Sequence, residues 1–197
     1  ILVIPTILLF LFIVWRPIYI GMKYSFYSLK GFTPVEFVGL ENFAKLFGDE
    51  LFVTSFLNTV KFVVIIVPLQ CLGALGLALL INKVTYCKKY FKVAFFIPVV
   101  MSLAVVSTLW MQIYSPEGIL NTLLTNMGFN PQPFIHSANQ ALPSIAIMSA
   151  WQGMGYQMII FLGGLQAINP ALYEAAEMDH ASGWKKFKDI TLPELKP

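Results

Sequence analysis

Few residues of this 197-residue chain have the types and spacing that catalysis or metal binding requires. The cysteines, Cys71 and Cys87, lack ligand spacing, and the histidines, His136 and His180, fall on opposite sides of a membrane in the predicted topology, so we expect no bound metal. Ser144, Ser149 and Ser182 have no histidine and acid in an arrangement that could activate them as nucleophiles. The chain also contains no Gly-Lys dipeptide and therefore no Walker A loop. These patterns argue against an enzyme and against a cofactor bound by this chain.

Neutral amide and aromatic side chains inside long apolar stretches could instead contact a solute. Amides offer hydrogen bonds and flat rings pack against sugar faces, so such a lining suits a neutral, hydroxyl-rich solute. Interhelical hydrogen bonding is the alternative for Gln70 and Gln157. The predicted solute-path residues, which we name the mid-span group, are Gln70, Trp151, Gln152, Tyr156 and Gln157.

A polar segment at residues 169–193 interrupts the apolar pattern, and we name it the EAA segment after Glu174-Ala175-Ala176. Asn169 is a good helix N-cap, and Pro170 suits the first helical position. Gly183 is placed to end this helix with a positive φ, and a second, amphipathic piece follows it. A solvated loop is the alternative. The sequence favours two short helices joined by a glycine, with a small-residue surface and an acid that a partner's groove can hold.

Apolar helices must position these candidate residues. The chain is 57% hydrophobic and 12% charged, whereas soluble domains are about 25% charged. This composition excludes a soluble enzyme, a disordered tail and a nucleic-acid binder. About 20 apolar residues let a helix cross a bilayer, and these stretches are apolar on every face, unlike the strands of a membrane barrel. The sequence predicts an all-α, polytopic transmembrane bundle with four spans at residues 1–20 (with further helix towards residue 29), 57–81, 91–113 and 142–168.

The distribution of lysine and arginine predicts the orientation of the bundle. Eight of the thirteen basic residues lie at residues 83–92 or 185–196. Short loops rich in Lys and Arg stay in the cytoplasm. We therefore expect the EAA segment on the cytoplasmic side, with residues 30–51 and the lysine-free loop 114–141 outside.

Glycines and prolines inside the spans predict where helices pack or bend. Small residues let helix backbones approach closely in lipid, so the glycines indicate packing faces, with a hinge as the alternative. Pro68 and Pro98 each remove a backbone hydrogen bond and can kink their helices. The glycines are Gly73, Gly76, Gly153, Gly155, Gly163 and Gly164.

The EAA segment resembles the loop of that name in the permeases of ABC importers. Glu174-Ala175-Ala176, Asp179 and Gly183, followed by Ile190-Thr191-Leu192-Pro193, resemble the pattern of the subgroup for maltose, glycerol phosphate and other oligosaccharides. His180 departs from this pattern, which usually has glycine there. If the position needs a positive φ, histidine adopts it at modest cost.

The resemblance covers about residues 52–197 and implies a type-1 importer permease domain there, incomplete at its C-terminus. A first transmembrane helix at residues 1–29 and an external segment at 30–51 would precede it, in a bundle of about six spans. The implied assembly lies in the inner (cytoplasmic) membrane and contains a second permease, usually a different chain, two ATPase subunits that bind ATP and Mg²⁺, and an extracytoplasmic solute-binding protein. The residues expected to couple to the ATPases are Glu174, Ala175, Ala176, Asp179 and Gly183.

Three other functions compete with a sugar permease. Permeases for polyamines, phosphate or peptides share a looser form of the same pattern. A channel or ion-coupled transporter would need charged residues deep in its spans or filter-like loops, and residues 62–81, 93–116 and 118–173 contain no Asp, Glu, Lys or Arg. A membrane scaffold would not need the spacing of the EAA segment. The sequence therefore favours an ATP-driven importer of a sugar or oligosaccharide.

Overall fold

The computed structural model describes residues 3–84 and 86–196, and nearly all of their regular structure is helical. An all-α fold is thereby confirmed, with one short β-hairpin in the described part of the chain. The chain forms two compact units, Ile1–Thr59 and Val60–Pro197.

The first unit begins with α1 (Ile4–Tyr24), which occupies the first predicted span. Its middle contains a π-helical stretch at Leu11–Trp15. Pro17 follows this stretch and has no N–H to donate to the preceding turn, which explains why the regular α-helical pattern changes there.

A hairpin and a short helix complete most of the first unit. Strands β1 (Tyr27–Lys30) and β2 (Thr33–Phe37) pair antiparallel. Helix α2 (Glu41–Gly48) follows, and the Asn42 amide donates hydrogen bonds of 2.9 Å to the carbonyls of Ser25 and Tyr27. The predicted external segment at residues 30–51 therefore has regular structure of its own.

Helix α3 (Glu50–Lys83) contains the second predicted span and is longer than predicted, with 34 residues. The helix begins at Glu50, before the predicted span at residues 57–81, because a cap lies further upstream. The Asp49 carboxylate accepts a hydrogen bond of 2.8 Å from the Leu51 amide, which satisfies a free donor of the first turn. Pro68 lies inside this helix without dividing it.

The third predicted span, residues 91–113, is not one continuous helix, which corrects the prediction. Helices α4 (Lys88–Val100) and α5 (Leu103–Ile113) meet at 99°. Met101 and Ser102 between them are extended, and the Ser102 hydroxyl caps α5 by accepting from the Val105 amide at 3.4 Å. Pro98 has no N–H for the preceding turn, so α4 is already weakened where the break follows.

The remaining elements form the rest of the second unit. Helix α6 (Ile119–Asn126) and a 3₁₀ turn (Phe134–His136) precede α7 (Ala141–Ala167), whose bounds confirm the fourth predicted span. Among residues 3–84 and 86–196, three helices are long and apolar enough to cross a membrane, or four if α4 and α5 make one broken span. The main buried cluster joins α3 to α7 through Ala74, Ala78, Ile81, Met158, Leu162, Leu165 and Ile168.

The span glycines confirm the packing prediction in part. A Cβ at Gly155 would collide with the Phe95 carbonyl oxygen, so α7 contacts the backbone of α4 there. Gly73 and Gly153 pack likewise against side chains, whereas a Cβ at Gly163 would meet nothing within 4 Å. Gly153 and Gly155 lie on opposite sides of α7 and allow close approach to α3 and to α4, whereas Gly163 serves no such contact.

Candidate functional site

The EAA segment folds as two short helices at the end of α7. Helix α8 (Pro170–Met178) comes first, and α9 (residues 183–194) continues through a π-helical stretch, Phe187–Thr191. The Asn169 side chain accepts a hydrogen bond of 3.0 Å from the Ala171 amide, which confirms the predicted N-cap.

The turn between α8 and α9 differs from the prediction. The residue with positive φ is His180, at 52°, and not Gly183. The Ala181 amide donates to the Ala176 carbonyl at 2.9 Å, as in a Schellman motif, which places His180 at the left-handed position. Gly183 instead begins α9, where the Ser182 hydroxyl caps the helix by accepting from the Lys185 amide at 3.3 Å. Histidine thus takes the conformation that glycine adopts without strain.

Side-chain contacts fasten α8 to α9 and both to the bundle. The Tyr173 and Thr191 hydroxyls lie 2.8 Å apart in a hydrogen bond. The Lys186 ammonium donates to the Glu177 carboxylate at 3.0 Å. Ile190 packs against the buried cluster between α3 and α7. The EAA segment is therefore joined to the helix ends by fixed packing contacts.

The residues expected to couple to a partner lie on the outside of this segment. Glu174, Ala175, Asp179 and Gly183 are exposed, and Ala176 is half-buried. Met178, on α8, is 83% exposed. An exposed helix with alanines, an apolar side chain and one acid offers a shallow surface for a groove with a basic residue.

The mid-span group does not form one cluster. The Gln152 side chain donates to the Met101 carbonyl at 3.3 Å and so satisfies a backbone group exposed by the break between α4 and α5. The carboxamide oxygen of Gln157 is buried and, among the described residues, has no hydrogen-bond partner. The Gln70 side chain packs over Gly153. Gly153 lies one helical turn before Gln157, so the two residues share one face of α7.

The two aromatic members of the mid-span group have different environments. Trp151 packs edge-on against Trp110 of α5 with ring centroids 5.7 Å apart. Tyr156 is 58% exposed. The structure therefore brings Gln70 near the Gln157 face, ties Gln152 to the helix break and leaves Tyr156 on an open surface. Within residues 3–84 and 86–196, no three His, Cys, Asp or Glu side chains are grouped as metal ligands would be.

The loop between α5 and α7 contains a polar network that sequence reasoning missed. Asn121 is 1% exposed, and its amide donates at 3.0 Å to the carbonyls of Ser115 and Gln132. Its carboxamide oxygen accepts from the Gln132 amide at 2.7 Å. The Tyr114 hydroxyl donates to the Ser144 carbonyl at 2.9 Å, and burial raises the pKa of this hydroxyl, so it remains a donor. The available signal was Asn121, a carboxamide directly after the apolar pair Ile119-Leu120 that begins α6.

Comparison with known proteins decides the family. The family model for the binding-protein-dependent transport system inner membrane component matches residues 51–197. The chain belongs to this family. The expectation of an ABC importer permease is thereby confirmed, and the several apolar helices agree with a multi-pass membrane protein.

Relatives of this chain are named as transporter or transport-system permeases, and one of them is named for lactose transport. The chain is 34% identical to the probable ABC transporter permease protein YurN of Bacillus subtilis over 195 residues, covering 96% of the chain and 67% of YurN. It is also 34% identical to the lactose transport system permease protein LacF of Rhizobium radiobacter, covering 98% of the chain and 65% of LacF. The chain therefore spans about two thirds of the length of these relatives.

Solved structures agree with this assignment. A crystal structure of a bacterial ABC transporter involved in the import of the acidic polysaccharide alginate matches with a TM-score of 0.80 and 28% identity. The match covers 98% of this chain and 66% of the matched chain. A bacterial alginate ABC transporter in complex with an alginate pentasaccharide-bound periplasmic protein matches with a TM-score of 0.77 and 28% identity, covering 98% and 65%. The resemblance to sugar-uptake permeases is confirmed.

Proposed function

We propose that this chain is the transmembrane permease subunit of an ATP-driven importer that moves a sugar or oligosaccharide across the inner membrane. The observation that carries the proposal is the EAA segment. It is a short exposed helix, α8, fastened by the Tyr173–Thr191 hydrogen bond and the Lys186–Glu177 ion pair beneath the ends of α3 and α7. A helix held in this way can pass a partner's movement to the spans without deforming.

ATP hydrolysis belongs to a separate pair of ATPase subunits in this proposal. The lysine-rich loop at residues 83–92 and the lysines of α9 support a cytoplasmic position for the EAA segment. There α8 sits in a groove of an ATPase subunit, with Glu174 facing a basic side chain. Closure of the ATPases on ATP and Mg²⁺ then turns α8 as a rigid body and switches the bundle between inward-open and outward-open states.

In this proposal the chain pairs in the membrane with a second permease subunit of different sequence. An extracytoplasmic binding protein delivers the solute to the pair. Sugar transport is supported by the names of the relatives and by the alginate importers of similar structure. Uncharged amides and rings of the mid-span group suit hydroxyl-rich solutes. Within this group, the rings of Tyr156 and Trp151 are exposed on the isolated chain, and the proposal places them on the solute path.

Charge reversal at α8 tests the coupling proposal. Glu174→Lys should uncouple ATP hydrolysis from uptake, because it places a cation against a basic groove, while the protein still inserts in the membrane. Glu194→Lys is the matched control, since Glu194 is an exposed acid at the end of α9 that is not among the residues expected to couple. The measurements are solute uptake in vesicles and co-purification of an ATPase subunit.

Two results would contradict the proposal. Undiminished uptake by Glu174→Lys would exclude Glu174 from coupling, and a wild-type permease that brings down no ATPase would exclude the importer itself. Binding of a sugar panel to the cognate solute-binding protein tests the solute class. If the binding protein has no measurable affinity for any sugar, the sugar assignment is refuted and polyamines, phosphate or peptides become the proposed solutes.

A further inference from the structure

A cavity of about 660 Å³ lies between the EAA segment and the ends of α3 and α7. This volume is in the range of pockets that hold drug-sized ligands, about 300–1,000 Å³. Part of its wall, including Tyr173, Gly183, Lys186 and Thr191, belongs to the EAA segment, and the rest of its lining has no role in the proposed coupling or solute passage. Its lining residues include Leu79, Asn82, Lys83, Leu165, Trp184 and Phe187.

The cavity has an apolar part. Leu79 and Leu165 come from the two spans, and the Phe187 ring lies 5.6 Å from the Trp184 ring, centroid to centroid. Trp184 is still 72% exposed, so the cavity opens to the outside beside this indole. Tryptophan side chains are enriched at the membrane–water interface, where the lipid headgroups lie.

The cavity also has an excess of positive charge. Lys83 and Lys186 line it, and the Lys88 ammonium donates at 3.3 Å to the Asn82 carboxamide, another lining residue. The charge of Lys186 is offset by Glu177, 3.0 Å away. Among the described residues, neither Lys83 nor Lys88 has a carboxylate within ion-pair distance. Two uncompensated cations therefore remain near an apolar pocket.

We propose that this cavity binds one anionic glycerophospholipid, with its phosphate at Lys83 and Lys88 and the start of its acyl chains against Leu79, Leu165 and Phe187. Basic pockets between spans on the cytoplasmic side are suited to anionic headgroups. A free phosphate ion would satisfy the lysines but leave most of the volume and all of the apolar lining unfilled. The assignment to the cytoplasmic leaflet rests on the orientation in the proposed function.

Lipid retention by the full chain tests this proposal. The purified chain is titrated in detergent with palmitoyl-oleoyl phosphatidylglycerol or palmitoyl-oleoyl phosphatidylcholine, and bound lipid is counted by native mass spectrometry. One phosphatidylglycerol should bind per chain in preference to phosphatidylcholine. The double variant Lys83→Gln/Lys88→Gln should bind it about 30-fold more weakly, because each lysine near an anionic headgroup contributes about fivefold.

The matched control is Lys185→Gln/Lys188→Gln, which removes two charges from the exposed side of α9 outside the cavity and should change affinity less than twofold. Equal weakening in both double variants, equal binding of phosphatidylcholine, or displacement of the lipid by millimolar inorganic phosphate would overturn the proposal. A benzophenone side chain at position 184 should label lipid in the assembled transporter, and labelling of a protein chain alone would overturn it too. ATPase co-purification is measured separately, so failure here is distinct from failure of the importer proposal.

Discussion

Replacing Gly155 by alanine tests the contact that joins α7 to α4. The added Cβ would overlap the Phe95 carbonyl oxygen and lie 2.9 Å from its carbon and 3.1 Å from a Val99 methyl, where 3.4–4 Å is ordinary contact. The main obstacle is backbone, so no rotamer change relieves it, and α4 must move away. Gly163→Ala in the same helix is the control, because a Cβ there meets nothing within 4 Å.

The difference between the two variants isolates the packing cost. Alanine is favoured over glycine in a helix by about 1 kcal/mol at both positions, so this gain cancels in the comparison. Overpacking of a tight contact costs about 1–3 kcal/mol. We expect the free energy of unfolding of Gly155→Ala to lie about 2 kcal/mol below that of Gly163→Ala. For a chain of this size, that difference lowers the melting temperature by roughly 4–8 °C.

Thermal unfolding in detergent, followed by tryptophan fluorescence, measures this difference. Val99→Ala in the Gly155→Ala background should restore only a small part of the loss, because the Phe95 carbonyl remains in place. Melting temperatures that agree within 1 °C for Gly155→Ala and Gly163→Ala would refute a backbone contact between α4 and α7.

Five further substitutions, grouped in three tests, probe the remaining contacts. Asn121→Ala should lower the unfolding free energy by about 2–3 kcal/mol and expose the adjoining loop to protease, since three backbone groups of half-buried residues lose their hydrogen bonds; an unchanged digestion pattern would contradict this role. Gln152→Leu should lower the unfolding free energy by about 1–2 kcal/mol, because it removes the hydrogen bond to the Met101 carbonyl. Gln157→Leu removes an unpartnered oxygen and should be neutral or stabilising. A lower melting temperature for Gln157→Leu than for Gln152→Leu would contradict these assignments. His180→Gly should stabilise by up to about 1 kcal/mol, whereas Gly183→Ala should be tolerated, and a larger loss at Gly183 would place the left-handed residue there.

Local patterns predicted much of the fold. The fourth span and the N-cap at Asn169 follow from hydropathy and capping preference, which depend on residues close in sequence. The sharp break at Met101 does not follow from these local patterns. Pro98 marks a weak point, but the direction of the turn also depends on Gln152, 51 positions away, which binds the exposed carbonyl.

The candidate site was predictable in composition more than in geometry. The order of Glu174 and its alanines was sufficient for the family, whereas the turn after α8 was assigned to Gly183 because glycine is the usual left-handed residue. His180 takes that position because the Schellman bond from Ala181 fixes the helix end at Met178. The roles of the mid-span group stay predictions, since the faces on which its members lie depend on partners distant in sequence.

The loop between α5 and α7 is held by uncharged groups. Asn121, Gln132 and Gln140 link it through amides, with the Phe134 amide donating to Gln140 at 3.0 Å and Gln140 donating to Gln132 at 2.9 Å. Neutral amides neither gain nor lose a proton in the ordinary range and attract no counter-ions, unlike surface ion pairs, which dissolved salt screens. The loop between α5 and α7 should therefore keep its conformation when ionic strength or pH changes.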